Sequence, residues 1–350
     1  MVEIENEDAT HIDKIKYLIK SNGLQKDDPR IVFAMHQLQQ FEKHQKELDF
    51  DSFKMIFQPC FSMMRRLLDN TFTYPDFTQK YEKAKKIFDE VKAMPNEGFI
   101  PDYIPALRDA DEDGFAVSIC TVDGQVINLG DYNEKSCMHA ISGVISYLLS
   151  LEELGEDEVK NFIGSEPSGN QFNALELMAN GIPHNPLNCA GSLMSSSLIF
   201  QGDSNAKKFE SYSNVVKKMI GGRKVNFNNE MYLSEVEHAH ANYSLLYMME
   251  ETKALPDNTD IKKTLQFYTQ CCSLNLRIQD FSILAATLAN GGICPLTEER
   301  CFHDSNSVKL CLSELLSSGM NTHSGQWEFE IGLPTKSAVS GVTVMIIPNT

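Results

Sequence analysis

Long apolar runs are absent from this sequence. No window reaches the roughly 18 apolar residues that span a bilayer, and the apolar run near the end, Val342 to Ile347, is far too short. Basic residues are scarce as well: 31 Lys and Arg stand against 48 Asp and Glu, a net charge of −17. Such a surface repels phosphate backbones and anionic lipid, so neither nucleic acid nor a membrane is expected as a partner. The nine cysteines lack scaffold spacing. No C-x-x-C occurs, and the adjacent Cys271 and Cys272 match no zinc pattern. A disulfide framework is excluded, and neither a metal nor another cofactor is expected. Internal repeats and low-complexity tracts are missing too. The start carries Glu3, Glu5, Glu7 and Asp8 ahead of any apolar stretch, unlike a secretory signal or an Arg-rich transit peptide. A cytoplasmic location is the expectation.

What is present is ordinary globular material: 350 residues, 42% hydrophobic and 23% charged, enough for about two domains at roughly 150 residues each. Residues 10 to about 95 read as helical. Ile12, Ile15, Leu18 and Ile19 recur at helical spacing, as do Ile31, Met35 and Leu38, and further periodic segments run from Phe53 to Leu68 and Phe77 to Val91. Turn chemistry sits at Lys26-Asp-Asp-Pro29 and Asp49-Phe-Asp51. Composition shifts at Met94-Pro-Asn-Glu-Gly98, which places a boundary between domains 1–97 and 98–350. Beyond it, Phe115–Cys120 and Gln125–Leu129 read as strands joined through Val122-Asp-Gly124. A helix is expected from Ser136 to Leu151, then a helix-rich middle, then strands at Trp327–Ile331 and Val342–Ile347. Strands at both ends of a helical middle predict an α+β domain whose sheet gathers distant segments.

Three clusters carry candidate chemistry. Asp109-Ala-Asp-Glu-Asp-Gly114 begins like a calcium loop, but position 12 is Cys120, so it reads as a solvated acidic turn. Glu235, Glu237, His238 and His240 do not form HExxH, and a metal reading there is weak. Ser136-Cys-Met-His139 opens an apolar helix after a hairpin. That is where SxxK acyl-transfer enzymes keep a nucleophile, with the base one helical turn on. Taken alone, Ser-x-x-His also fits an ordinary N-capping serine.

A wider pattern bears on this site. Pro101-Asp-Tyr-Ile-Pro-Ala-Leu107, Val117–Gln125, Glu166-Pro-Ser-Gly169, Pro183-His-Asn-Pro186, Ala285–Gly292 with Cys294-Pro295, and Gly332-Leu-Pro-Thr-Lys-Ser337 occur in one order. Asp28-Pro-Arg30 and Tyr74-Pro-Asp-Phe77 extend the pattern upstream. In these stretches the chain resembles the animal-type glutaminase family. The resemblance implies an N-terminal EF-hand-like helical domain and a serine-β-lactamase-like α+β domain with a central antiparallel sheet and a helical subdomain. It implies hydrolysis of glutamine to glutamate and ammonia through a serine acyl-enzyme. Carried over position by position, Ser136 is the nucleophile and Tyr268 assists proton transfer. Tyr103, Glu235 and Asn242 hold the substrate, and Val339 is a backbone oxyanion donor.

Several positions depart from that pattern. His139 replaces the lysine and Lys135 a glutamine. Cys189 stands in for a substrate asparagine, with Asn188 one position upstream, and Asn321 for a tyrosine after Gly319-Met320. A positioned base is worth roughly 10²–10⁴-fold, and each lost charge-assisted hydrogen bond roughly 1.5–3 kcal/mol. The expectation is a catalytically inactive or strongly impaired homologue kept for self-association as a homo-oligomer or filament. Against the family's fold, the last strand and the closing C-terminal helix are also expected to be missing, which would leave a sheet edge open to pairing; a shortened sequence is the plain alternative. Phe172-Asn-Ala-Leu-Glu-Leu177 falls on the family's dimer–dimer face, or is an ordinary amphipathic turn. Two other functions remain open: an active enzyme in which Ser136 attacks with His139 as base, and a non-hydrolysing glutamine or glutamate binder.

Overall fold

Residues 10–44 and 48–350 are described by the computed structural model; the acidic start through Asp8, read above for targeting, lies outside the described residues. In the N-terminal part, helices α1 (His11–Ser21), α2 (Val32–His44), α3 (Phe50–Phe57), α4 (Phe61–Asp69) and α5 (Phe77–Lys92) follow one another. Thr10 caps α1 through a reciprocal box with Asp13, and Asp49 caps α3 by accepting from Ser52 N–H. Phe53–Leu68 is not one helix. Pro59 lacks an N–H, and a 3₁₀ turn at Gln58–Cys60 divides α3 from α4. Ile12, Ile19, Leu38, Ile56 and Leu67 share one apolar core. Phe77 and Phe88 of α5 pack elsewhere, against Ile127 and Leu129.

The larger part contains strands β1 (Ala116–Cys120), β2 (Val126–Gly130), β3 (Lys135–Cys137), β4 (Asn226–Phe227), β5 (Leu274–Arg277), β6 (Thr335–Ser337) and β7 (Thr343–Met345). Its helices are α6 (Ala140–Leu154), α7 (Glu156–Val159), α8 (Cys189–Leu198), α9 (Asn205–Met219) and α10 (Asn229–Glu237). They continue with α11 (His240–Glu251), α12 (Ile261–Cys272), α13 (Ile278–Ala289), α14 (Ser305–Ser318) and α15 (Ser324–Glu330). All the strand pairs are antiparallel, in three sheets: β1 with β2, β5 between β3 and β4, and β6 with β7. The β1–β2 hairpin is the one read from sequence, with Ala116 opposite Gly130. The expected strand at Trp327–Ile331 is instead helical. Its alternation has no partner edge to pair with, whereas Ile331 N–H reaches Trp327 O and Gln326 reaches Glu330 one turn on.

Helix α6 is the centre of the main core. Ala140 through Leu151 are all buried, with Leu193, Phe267 and Leu315 in the same apolar cluster. No helix among the described residues is long and apolar enough to cross a membrane. The acidic turn at Asp109–Gly114 is closed by its own side chain, since Asp111 Oδ1 accepts from Asp113 N–H.

Candidate active site

The chain enters the site along β3. Ser136 pairs with Leu276 and Cys137 with Asn275, and the N–H groups of Met138 and His139 then donate to Leu274 O and Cys272 O, each at 2.9 Å. These bonds keep residues 135–139 out of the helix, so α6 begins at Ala140 rather than at Ser136. The apolar periodicity of Met138, Ile141 and Val144 reads through this turn, which is why sequence alone starts the helix early. His139 makes the turn with φ +42° and ψ −124°, a left-handed conformation that costs on the order of 1–3 kcal/mol for a side chain with a Cβ.

Specific contacts hold that strain. The carbonyl of His139 accepts from Ser142 N–H at 2.9 Å and Ser142 Oγ–H at 2.7 Å. The imidazole Nδ1 lies 2.6 Å from Glu235 Oε1 on α10, and both side chains are almost wholly buried. Nε2 is buried without a hydrogen-bond partner.

The pair borders a cavity of about 330 Å³. Of the residues singled out from sequence, Tyr103, His139, Cys189, Glu235, Asn242, Tyr268, Asn321 and Val339 all line it. Helices α8, α10, α11 and α12, the turn after α14 and the segment after β6 thus bring distant positions to one wall. Ser136 does not line it. It sits on β3, before α6 begins, so His139 is not one helical turn along from it on a shared helix. The S-x-x-K register falls on Ser136 and His139, and α6 itself starts only after it, at Ala140, with Gly143 one turn in. Gly143 has no room for more, because a Cβ there would collide with Ser192 Oγ on α8.

Asn188 does not replace the asparagine lost at Cys189: it caps α8, its side chain accepting from Gly191 N–H at 2.8 Å. Cys189 Sγ donates to Asn242 Oδ1 at 3.2 Å. Burial pushes the Cys189 thiol up to about 12, holds Cys272 far above its ordinary value and does the same to the Tyr268 hydroxyl. All three stay protonated at neutral pH, so neither thiol supplies a thiolate nucleophile. Sequence reading did not anticipate His238, Cys272 or Asn173 in the wall. Nor did it anticipate Phe172 there; its ring lies 5.5 Å from the buried Lys336 ammonium. No motif links them; only the packing of α10, α12 and the 166–188 loops does.

An α+β fold with antiparallel ladders, a buried central helix and a pocket at that helix's N-terminus defines the serine-β-lactamase-like class. The family model for glutaminase matches residues 98–350, and one for an EF-hand domain matches residues 1–75. The chain is 36% identical over 352 residues to the mitochondrial liver isoform of glutaminase from Mus musculus, covering 99% of this chain and 58% of that one. It is 34% identical over 254 residues to a glutaminase of Nostoc sp., covering 72% of this chain and 75% of the relative. A solved structure described as probable glutaminase ybaS superposes with a TM-score of 0.71 at 30% identity, over 77% of this chain and 85% of that one. The chain belongs to the glutaminase family. It spans about three fifths of the length of the mouse and rat relatives it matches, 58% in each case.

Among the described residues of the EF-hand stretch there is no calcium-ligand set. In the Lys26–Pro29 loop both oxygens of Asp28 are taken by the Arg30 guanidinium, at 2.6 and 3.0 Å. Among the described residues no three His, Cys, Asp or Glu side chains are grouped as metal ligands.

Proposed function

We propose that this chain is a glutaminase homologue that keeps the family's pocket as a binding site for a small carboxylate or carboxamide and hydrolyses glutamine poorly or not at all. One observation carries the reading: the base position of the S-x-x-K register is His139, whose Nδ1 is turned to Glu235 at 2.6 Å and whose other nitrogen has no hydrogen-bond partner. Ser136 could act only with a base at its hydroxyl, and the free nitrogen of His139 makes no hydrogen bond to it. Losing the positioned base alone removes roughly 10²–10⁴-fold.

Glutamate release from glutamine in phosphate, beside a Ser136→Ala control, tests this. The expected result is no Ser136-dependent turnover. Serine-dependent hydrolysis at ordinary enzymatic rates would establish instead the active reading, with Ser136 attacking and His139 as base.

A second reading, self-association as a homo-oligomer or filament scaffold, draws support from apolar side chains left in solvent: Phe329 at 91% exposure, Phe99 at 90% and Leu175 at 55%. We place this role in the cytoplasm; the nine cysteines, all free thiols, fit a reducing compartment. Imaging of a C-terminally tagged chain checks that location, and mitochondrial signal would refute it.

A further inference from the structure

The 164–188 loop carries Phe172 and Asn173 into the cavity wall, and its two ends are tied to each other. Gly164 N–H donates to Pro183 O at 2.9 Å, Glu166 N–H to His184 O at 2.8 Å, and the Asn185 amide to Glu166 O at 3.0 Å. Phe172 O accepts from Cys189 N–H at 2.9 Å, where α8 begins. We propose that Glu314, on α14 at this base, is a proton-operated latch: with its carboxyl protonated the loop stays seated on the cavity, and ionisation loosens the base.

Glu314 is 6% exposed. Its carboxyl faces the Ser165 hydroxyl and the Glu166 carboxylate, and Oε2 is buried without a hydrogen-bond partner. Among the described residues no cation lies beside it. Tyr147 of α6 and Cys311 of α14 also face it, and burial keeps both protonated at neutral pH. Strand β6 packs on α14, but its Lys336 ammonium is held by Gly319 O and Ser337 O. Glu152 of α6 accepts from His303 and Asp304 N–H at the far end of α14, and α15 turns Glu328 and Glu330 to solvent. An ionised carboxylate here loses its hydration and is repelled by Glu166, whereas the neutral acid leaves no charge unpaired. Burial pushes the Glu314 carboxyl up to about 7 against the opposing Ser165 hydroxyl, and the Glu166 charge adds to the rise. A glutamate released to water titrates at about 4.3. Between those values the opened loop binds fewer protons than the closed one. Closure is therefore strongest below about pH 4.3, weakens as the pH rises to about 7, and then levels off.

Amide hydrogen exchange, corrected for its intrinsic pH dependence, reads the latch at Glu166 and Cys189. Their opening constant is expected to rise roughly tenfold per pH unit between about pH 5 and 7 and to level off above that. The Thr121 amide, in the β1–β2 hairpin, should not follow. Glu314→Gln, the neutral isostere, should keep the slow low-pH exchange at about pH 7.5. The Glu314 carboxyl ¹³C resonance of the wild-type chain provides a readout that needs no variant, with a midpoint at about 7 expected. A midpoint at about 4.3 or a flat wild-type exchange profile would overturn the inference. So would an unchanged pH dependence in a Glu314→Gln protein that melts cooperatively. That last result would assign the effect to His184, which shares the loop base and has a buried Nδ1 without a partner.

Discussion

Lys336 carries its ammonium into the interior with no carboxylate beside it. Nζ donates to Gly319 O at 3.1 Å and Ser337 O at 2.9 Å, and burial lowers its pKa to about 7. An unfolded lysine titrates near 10.4. Between those values the unfolded chain binds more protons, so this residue makes stability rise with pH from about 7 toward 10, by roughly 4 kcal/mol across the window. Below pH 7 both states are protonated and the folded state bears the full cost of the buried charge. Lys336→Met should therefore flatten the wild-type pH dependence of Tm over that range. Parallel melting-curve slopes for the two proteins would contradict this.

At the scale of elements, the pocket depends on how closely α6 and α8 approach. Small residues face one another there, Gly143 against Ser192. Glycine at 143 is thus explained by helix contact. Gly143→Ala should destabilise the chain by about 1–3 kcal/mol through overpacking, read as a lowered midpoint in urea at unchanged m-value.

At the scale of the whole molecule, the β1–β2 hairpin joins the two parts of the chain. Gln125, 1% exposed, accepts from Tyr74 N–H at 2.8 Å and donates to Asn22 O and Tyr74 O at 2.9 and 3.0 Å. Asp123 adds an ion pair with Arg66 at 2.8 Å, and its carbonyl accepts from Arg30. Gln125→Ala leaves three backbone groups unpaired, one buried and two partly buried, and should cost about 3 kcal/mol. Faster hydrogen exchange confined to residues 22–24, 72–76 and 121–126 would show the joint loosening, and unchanged exchange there would refute it. Helix α5 lies between the stretches matched by the two family models and packs on the hairpin, so the helical count before residue 97 does not by itself define an independent bundle. Self-association belongs at this scale too. Mass photometry across concentrations should show species larger than a monomer, and Leu175→Asp or Phe329→Asp should reduce them; a monomer throughout removes the scaffold reading.

Helices and the β1–β2 hairpin were legible in the residues, because apolar period, caps and turn residues act over a few positions. Tyr103, Glu235, Asn242 and Tyr268 were legible only through family resemblance, since more than a hundred residues separate the first from the rest. The start of α6 was not legible. Ser136-Cys-Met-His139 continues a helical apolar pattern, and only hydrogen bonds from β5, about 140 residues away, draw those residues into a strand. Trp327–Ile331 failed for the converse reason, as alternation without a partner edge relaxes into a helix. The sequence by itself determined an acidic α+β chain with the family's motifs in order and altered residues at the site, since composition and local pattern carry those facts. Tertiary structure alone decided that Ala140 faces the pocket, that Ser136 does not line it, and that His139 closes on Glu235. Those outcomes depend on which strand edge and which helix meet in space.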